Sequence, residues 1–204
     1  FYHAGKPYTK EAWIFWSGTK GNQQIISSND IFNLVDGKLF AENDRLNNTN
    51  DKYIISKKSI PKNEWTHVAV VYDTTSGFKL YVNGKPYSAD SKGTPRASTQ
   101  SKTYLGKHPH LNRYFFDGSM DEVRIWNIAR NDEEIADSYN KIIAKAEGLA
   151  GYYNFNLGTP SGFNSDVTEL VNIVFPEATN VGLLKNFALQ GISSNWIKSQ
   201  VPLK

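Results

Sequence analysis

Apolar and polar residues alternate with a period of two through the first two-thirds of the chain, and Gly, Asn and Asp interrupt the alternation. This pattern predicts short β-strands joined by tight turns. Residues 64–73 (EWTHVAVVYD) carry apolar side chains on both faces, which is typical of a strand inside a sandwich. Asp36-Gly37 and Asn83-Gly84 are hairpin signals because these residue types tolerate a positive φ. We therefore predict an all-β fold, an antiparallel two-sheet jelly-roll sandwich.

One segment changes to helical spacing. Asn131 is suited to cap a helix, and Glu134, three residues later, completes a capping box. The apolar stripe that follows consists of Ile135, Tyr139, Ile142, Ile143 and Ala146. Gly148 is a suitable terminator for this helix. We predict one helix near residues 132–146, with its stripe packed against the core.

The composition limits the classes of function. The 204 residues carry 23 Lys and Arg against 20 Asp and Glu, without basic runs, so we expect no nucleic-acid partner. The absence of Cys excludes thiolate metal sites and thiol nucleophiles. The apolar runs are too short to cross a bilayer, so we expect no membrane insertion.

The composition changes after about residue 156. Residues 157–204 hold only three bases and three acids among many Asn, Ser and Gly. Segment 183–197 keeps enough apolar residues for one or two strands, and Trp196 requires a buried partner. We interpret residues 1–156 as the jelly-roll domain and residues 157–204 as a strand-bearing extension packed on the sandwich.

Three stretches resemble one family in their order and spacing. They are 65–73 (WTHVAVVYD), 79–84 (KLYVNG) and 118–127 (GSMDEVRIWN), the last followed by Glu133-Glu134-Ile135. Together they resemble the laminin-G-like, concanavalin A-like lectin/glucanase superfamily. The resemblance implies a carbohydrate-binding or adhesive module of a larger secreted or cell-surface protein, located outside the cell or on its surface. Its implied partners are a glycan or glycoprotein and the neighbouring domains of the parent protein.

The resemblance also makes it necessary to consider calcium binding. Pentraxins, within the superfamily, bind calcium through acidic and amide residues in the loop before the strand that resembles 118–127. The corresponding loop here, 107–113 (KHPHLNR), has no carboxylate, whereas calcium takes roughly six to eight oxygen ligands. Asn22 stands where the resemblance implies an amide ligand. We expect no cofactor, because the 107–113 loop does not support calcium.

Catalytic chemistry finds little support in the sequence. Retaining glucanases on this fold place two carboxylates about 5–5.5 Å apart. The closest pair, Asp121 and Glu122, are neighbours on a strand and point to opposite faces. His108 and His110 lack a third metal ligand nearby. We therefore predict neither an enzyme nor a metal site, and a structural role for Asp121.

Sugar binding requires rings and planar polar groups. A ring stacks on the apolar face of a pyranose, while amide and guanidinium groups bond its hydroxyls. The candidate ligand-binding residues are Trp16, Asn22, His108, His110, Asn112, Arg113 and Tyr114. Core packing is the alternative for Trp16, and solvation of a long turn is the alternative for the loop residues.

Three interpretations stay open. The first is a noncatalytic carbohydrate-binding or adhesive module. The second is a structural or protein-interaction module without a sugar ligand. The third is a glycoside hydrolase, which requires two carboxylates about 5–10 Å apart in a cleft.

Overall fold

A computed structural model describes residues 6–28, 30–43, 53–92, 102–177, 181–185, 188–191 and 195–204. Within these ranges the chain forms β-strands and one α-helix. In chain order they are β1 (Tyr8–Trp16), β2 (Asn22–Ser27), β3 (Asp30–Val35), β4 (Lys38–Asn43), β5 (Tyr53–Ser59), β6 (Trp65–Asp73), β7 (Gly77–Val82), β8 (Lys85–Pro86), β9 (Ala89–Lys92), β10 (Tyr104–Leu105), β11 (Gly118–Trp126), α1 (Asp132–Ser138), β12 (Leu149–Tyr153), β13 (Glu169–Leu170) and β14 (Gly182–Leu183).

The strands form two six-stranded antiparallel sheets and one small hairpin. The helix-side sheet, on whose outer face α1 packs, has the order β12-β11-β1-β6-β7-β8. The loop-side sheet has the order β10-β2-β3-β4-β5-β9, and β13 pairs with β14. These sheets confirm the predicted all-β, antiparallel two-sheet sandwich.

The main core lies between the two sheets, and strand β6 shows why both of its faces are apolar. Val68, Val70 and Tyr72 belong to the large cluster between the sheets. Ala69 and Val71 point the other way and form a second cluster with residues of β7 and α1. Because α1 covers the outer face of this sheet, that face is apolar as well.

Two tight turns fix the register of two hairpins. Asp36 and Gly37 have φ values of 52° and 80° between β3 and β4, and Asn83 and Gly84 have values of 48° and 74° between β7 and β8. Positive φ at both central residues matches the twist of the flanking strands. The two hairpin predictions are therefore confirmed.

Helix α1 is shorter than the sequence predicts. Its N-terminus has the expected capping box between Asn131 and Glu134, and Ile135 is buried. The helix ends at Ser138, however, and Ile142 lies beyond it with 69% of its surface exposed. The predicted helix and its capping box are confirmed, whereas its extent to residue 146 and the packing of Ile142 against the core were wrongly predicted.

Side chains from the sheet explain why the helix stops. Trp13 Nε1 donates to the carbonyl oxygen of Tyr139 at 2.9 Å. The guanidinium of Arg124 donates to the carbonyls of Ser138 at 3.2 Å and Lys141 at 2.7 Å. These donors satisfy the terminal carbonyl groups, so an additional helical turn is not needed to pair them.

The extension contacts the sandwich at its core and at one sheet edge. Leu170 and Trp196 belong to the large core cluster. The Asn172 amide accepts from the backbone N–H of Tyr152 at 3.1 Å and donates to the carbonyl of Ala150 at 3.2 Å. Asn172 therefore pairs backbone groups on the free edge of β12, where an unpaired strand would be a liability. The division into two domains at residue 156 stays a prediction.

No helix in the described ranges combines the length and apolar character needed to cross a membrane.

Candidate functional site

A loop of residues 107–114 leaves the edge of the loop-side sheet and returns to it. The Gly106 N–H donates to the carbonyl of Ile25 at 3.0 Å, and the Gln24 N–H donates to the carbonyl of Tyr114 at 3.0 Å. The Phe116 N–H also donates to the carbonyl of Gly106 at 2.9 Å, which closes the base of the loop. Both ends are therefore fixed to strand β2, and the loop between them is held in place.

The loop starts on the outer face of the loop-side sheet. Ser27 lies directly opposite Ile31, and Gln24 lies opposite Asn33, on the face that points away from the core residue Phe32. Ser27 Oγ donates to the carbonyl of Lys107 at 2.5 Å. This bond holds the first residue of the loop over that outer face.

His108 organises the loop from within. Its Nδ1 accepts from the backbone N–H groups of His110 at 3.2 Å and Leu111 at 3.1 Å. Because Nδ1 accepts these bonds, the single proton of the neutral imidazole lies on Nε2. The His108 ring lies 5.8 Å from the Tyr114 ring and 6.2 Å from the His110 ring.

Arg113 stacks on Tyr114, with its guanidinium carbon 4.6 Å from the ring centroid. Arg113, His110 and Asn112 are exposed, whereas His108 and Tyr114 are partly buried. The structure thus brings four of the predicted residues, His108, His110, Arg113 and Tyr114, into mutual contact. Asn112 lies on the same exposed turn.

Asn22 lies beside this loop, at the start of β2 and two residues from Gln24. Its Oδ1 accepts from Gln24 Nε2 at 3.3 Å and from Asn33 Nδ2. Gln24 and Asn33 are each 1% exposed. Among the described residues, Gln24 Oε1 and Asn33 Oδ1 have no hydrogen-bond partner. Asn22 therefore belongs to a cluster of three amides next to the loop anchor.

Trp16 lies apart from the loop. Its side chain is a member of the core cluster, and its Nε1 donates to the carbonyl of Thr19 at 3.2 Å. A Cβ atom on Gly37 would collide with its ring, so the tryptophan packs directly on the β3–β4 turn. A ring in this position offers no free face, and we leave Trp16 out of the site.

Sequence reasoning missed several residues near the loop. Gln24 and Asn33 are polar residues in two predicted strands, and only the pairing of β2 with β3 places them opposite each other, so no sequence signal marked them. Phe115 is 50% exposed and Leu111 is 37% exposed. The triplet 114–116 (YFF) was the signal for Phe115, because three consecutive rings at the end of a loop do not all fit into the core.

A second group of titratable side chains lies on the outer face of the helix-side sheet. Glu11 Oε1 accepts from Trp126 Nε1 at 2.7 Å and from Arg130 at 3.2 Å, and it lies 3.8 Å from Arg124. Glu11 Oε2 accepts from His67 Nε2 at 3.1 Å. The side chains of Glu11 and His67 are 0% and 1% exposed. His67 is therefore a hydrogen-bonded, buried histidine on a largely apolar strand.

Burial and pairing set the charges of this group. Burial acts to raise the pKa of Glu11, but the His67 hydrogen bond and the charges of Arg124 and Arg130 outweigh it and lower this pKa to about 2. Burial, reinforced by the two guanidinium groups, lowers the pKa of His67 despite its bond to Glu11. Glu11 is therefore a carboxylate and His67 is neutral at pH 7. The carboxylate faces two guanidinium groups out of contact with solvent, so we assign this group a structural role.

Asp121 and Glu122, the carboxyl groups that a hydrolase would need, also form hydrogen bonds within the fold. Glu122 accepts from Arg124 at 3.2 Å and from the Tyr152 hydroxyl. Asp121 accepts from the Ser199 hydroxyl at 2.5 Å. Burial raises the pKa of both carboxyl groups. Within the described ranges no group of three or more His, Asp or Glu could hold a metal ion.

The two antiparallel sheets, with the long loop fixed at a sheet edge, define a lectin-type β-sandwich. The chain belongs to the concanavalin A-like lectin/glucanases superfamily, whose laminin-G-type sequence profile matches residues 2–136. The resemblance identified from the three sequence stretches is thereby confirmed.

Two relatives are adhesion receptors. Human adhesion G-protein coupled receptor D1 is 32% identical over 90 residues, which are 43% of this chain and 10% of the receptor. The bovine receptor is 27% identical over 149 residues, which are 69% of this chain and 15% of the receptor. The chain thus spans a small part of the length of these relatives.

Solved structures of two other proteins share this fold. A candidate carbohydrate-binding protein of Bacteroides ovatus has a TM-score of 0.68 at 21% identity, covering 94% of this chain and 56% of that chain. The CBM40 of the Ruminococcus gnavus IT-sialidase, bound to α2,3 sialyllactose, has a TM-score of 0.55 at 14% identity. It covers 65% of this chain and 83% of that chain. At these identities the likeness shows the fold alone.

Proposed function

We propose that this chain is a noncatalytic carbohydrate-binding module of a larger secreted or cell-surface protein, and that the 107–114 loop with Asn22 forms its glycan-binding site. The observation that carries the proposal is the loop itself. Its two ends are bonded to β2, and it presents a ring at Tyr114, a guanidinium at Arg113 and imidazoles at His108 and His110.

The chemistry of the loop suits a sugar. The partly buried Tyr114 ring supplies an apolar surface, and Phe115, the next residue in the chain, is half exposed. Arg113 and Asn112 supply donors for hydroxyl groups. An exposed site with few rings binds weakly, on the order of micromolar to millimolar, since these contacts must offset the lost freedom of a flexible ligand.

The relatives support the proposed setting. A Bacteroides ovatus structure described as that of a candidate carbohydrate-binding protein shares the fold over most of this chain, and CBM40 shares it while bound to sialyllactose. The adhesion receptors support an extracellular location. Against a hydrolase, Asp121 and Glu122 are buried and bonded to their neighbours.

A glycan array tests the proposal, first with the wild-type chain and then with the double variant Arg113→Ala, Tyr114→Ala. We expect at least one glycan to bind, and the double variant to lose at least about tenfold in affinity because the stacked pair is removed. Lys85→Ala, on edge strand β8 of the opposite sheet, is the control and should bind as the wild type does.

Two outcomes would contradict the proposal. Unaltered glycan binding in a folded double variant would exclude the loop as the site. If no glycan binds the wild-type chain, the interpretation as a protein-interaction module without a sugar ligand replaces it.

A further inference from the structure

The loop and its approach carry positive charge alone. Residues 102–116 contain Lys102, Lys107 and Arg113, together with two histidines, and no Asp or Glu. The first acid that follows is Asp117, and Thr19 Oγ1 donates to its carboxylate at 2.5 Å. This carboxylate is thus bonded outside the loop.

The strand surface beside the loop carries no charge of either sign. Strand β2 contains no charged residue. The residues of β3 on the same outer face, each opposite a residue of β2, are Ile31, Asn33 and Val35. On β4, the next strand, the same outer face carries Lys38 opposite Val35 and Glu42 opposite Ile31. The formal charges of the loop itself are all positive, whereas the acids Asp117 and Glu42 lie outside it, so the loop raises the concentration of anions in its immediate surroundings.

Aromatic rings hold two of the cations without neutralising them. The Arg113 guanidinium lies 4.6 Å from the Tyr114 ring, and Lys107 Nζ lies 5.7 Å from the Tyr104 ring. Neither cation forms an ion pair with a described residue. The surface ion pairs lie elsewhere: Lys57 on β5 pairs with Asp90 on β9, and Lys79 on β7 pairs with Asp132 of α1. Stacking leaves the guanidinium N–H groups at the ring edge free to meet a planar anion.

The cluster of three amides, Asn22, Gln24 and Asn33, contains hydrogen-bond acceptors, in contrast to the cationic donors of the loop. Gln24 Oε1 and Asn33 Oδ1 are acceptors without a hydrogen-bond partner among the described residues, and both side chains are 1% exposed. Both atoms are closed off from solvent, so a ligand does not reach them, and Asn22 is the member of the cluster that is partly exposed. The site therefore combines cationic donors in the loop with the amide of Asn22 on the adjoining strand.

We propose that the ligand of the 107–114 loop is an acidic glycan, whose carboxylate or sulfate group meets Arg113 and Lys107 while its hydroxyl groups meet the exposed amide of Asn112 and the partly exposed amide of Asn22. This inference rests on the proposed function, because it names the class of glycan that the same site takes. Carboxylate and sulfate each present two oxygens that the N–H groups of a guanidinium can bond together.

Two matched pairs of polysaccharides test the inference. Polygalacturonate is compared with its methyl ester, and dextran sulfate with dextran, by affinity gel electrophoresis at low salt. We expect at least one acidic polymer to bind at least about tenfold more tightly than its neutral counterpart, with a preference that falls as sodium chloride is added. The pair that shows the preference distinguishes carboxylate from sulfate.

Variants separate a specific contact from the net charge of the chain. Arg113→Gln should reduce the preference for the acidic polymer at least about fivefold. Arg113→Lys keeps the charge but loses the paired N–H groups of the guanidinium, so its preference should lie between those of the wild type and Arg113→Gln. Lys85→Gln removes the same charge on the opposite sheet and should leave the preference unchanged.

The outcomes distinguish this inference from the proposed function. Equal binding of the acidic and neutral polymers, or of neutral glycans alone on the array, would overturn the inference and leave the proposed function standing. A preference that Arg113→Gln and Lys85→Gln reduce equally would also overturn it, since net charge would then be the cause. If neither these polymers nor any glycan on the array binds, the proposed function and the inference both fail.

Discussion

Charged side chains gather on the outer faces of both sheets, and the two groups differ in how they are paired. On the helix-side sheet the Glu11 carboxylate bonds His67 and faces Arg124 and Arg130, beneath the segment that contains α1. On the loop-side sheet Arg113 stands exposed on a tyrosine ring. Both groups contain cations, histidine and an aromatic ring. Arg113 is exposed and has no ion pair among the described residues, so it can exchange water for a ligand at low cost, and pairing rather than composition distinguishes it from the buried charges.

Removing the carboxylate of the paired group should have the largest effect. Glu11→Gln leaves Arg124 and Arg130 buried without their common counter-ion, which we expect to lower the free energy of unfolding by about 3–5 kcal/mol. Urea denaturation followed by tryptophan fluorescence measures the change.

Asp90→Asn provides the control for this change. Asp90 pairs with Lys57 at 3.4 Å, and both side chains are more than half exposed. Pairs of this kind contribute little, so the urea midpoint should barely move. Equal effects of the two variants would contradict the distinction between buried and exposed pairing.

Lowering the pH should have the second-largest effect on stability, through the ion pairs of Glu11. The pKa of Glu11 is lowered to about 2 in the folded chain, so its contribution to stability is present above its unfolded pKa and is lost as pH falls toward 2. The pKa of His67 is also lowered, so the unfolded state takes up a proton first and stability begins to fall below about pH 6.5. For Glu11 we expect a loss of about 3 kcal/mol. The difference between the wild-type and Glu11→Gln stability curves from pH 7 to pH 2 isolates this contribution, and parallel curves would contradict it.

Arg113→Gln should have the smallest effect on stability. The residue is exposed and has no ion pair among the described residues, so we expect the free energy of unfolding to change by less than about 0.5 kcal/mol. The same urea measurement checks this. A loss comparable to that of Glu11→Gln would mean that the loop charges are structural, and the comparison of the two faces would fail.

The sandwich could be predicted because strand patterns are local. Alternation in 64–73 gave the two faces of β6 correctly, and the Asp36-Gly37 and Asn83-Gly84 turns fixed two registers. His67 was predictable as a buried histidine, but its partner Glu11 was not. The pair is 56 residues apart in sequence, and only the register of β1 against β6 brings the two together.

The end of α1 shows where local reasoning stops. The stripe after Ile135 continues at helical spacing, yet donors from Trp13 and Arg124 satisfy the carbonyls of residues 138, 139 and 141. These contacts are tertiary, and no periodicity within the segment reveals them.

The candidate site was predictable as a loop but not in its surroundings. The crowding of polar and aromatic residues in 107–114 was visible, whereas the buried amides of Gln24 and Asn33 required the pairing of β2 with β3. Trp16 was ambiguous because an aromatic residue at the end of a strand suits a core or a site equally, and its contact with Gly37 decided for the core.

The loop is anchored through main-chain atoms at both ends, and this has an evolutionary consequence. The bonds at Gly106, at Tyr114 and at the carbonyl of Lys107 do not depend on which side chains the loop carries. Mutations between residues 109 and 113 leave these anchors in place, together with the bonds that His108 Nδ1 accepts from the loop backbone. In the site that we propose, changes at these five positions alter specificity while the rest of the chain folds as before.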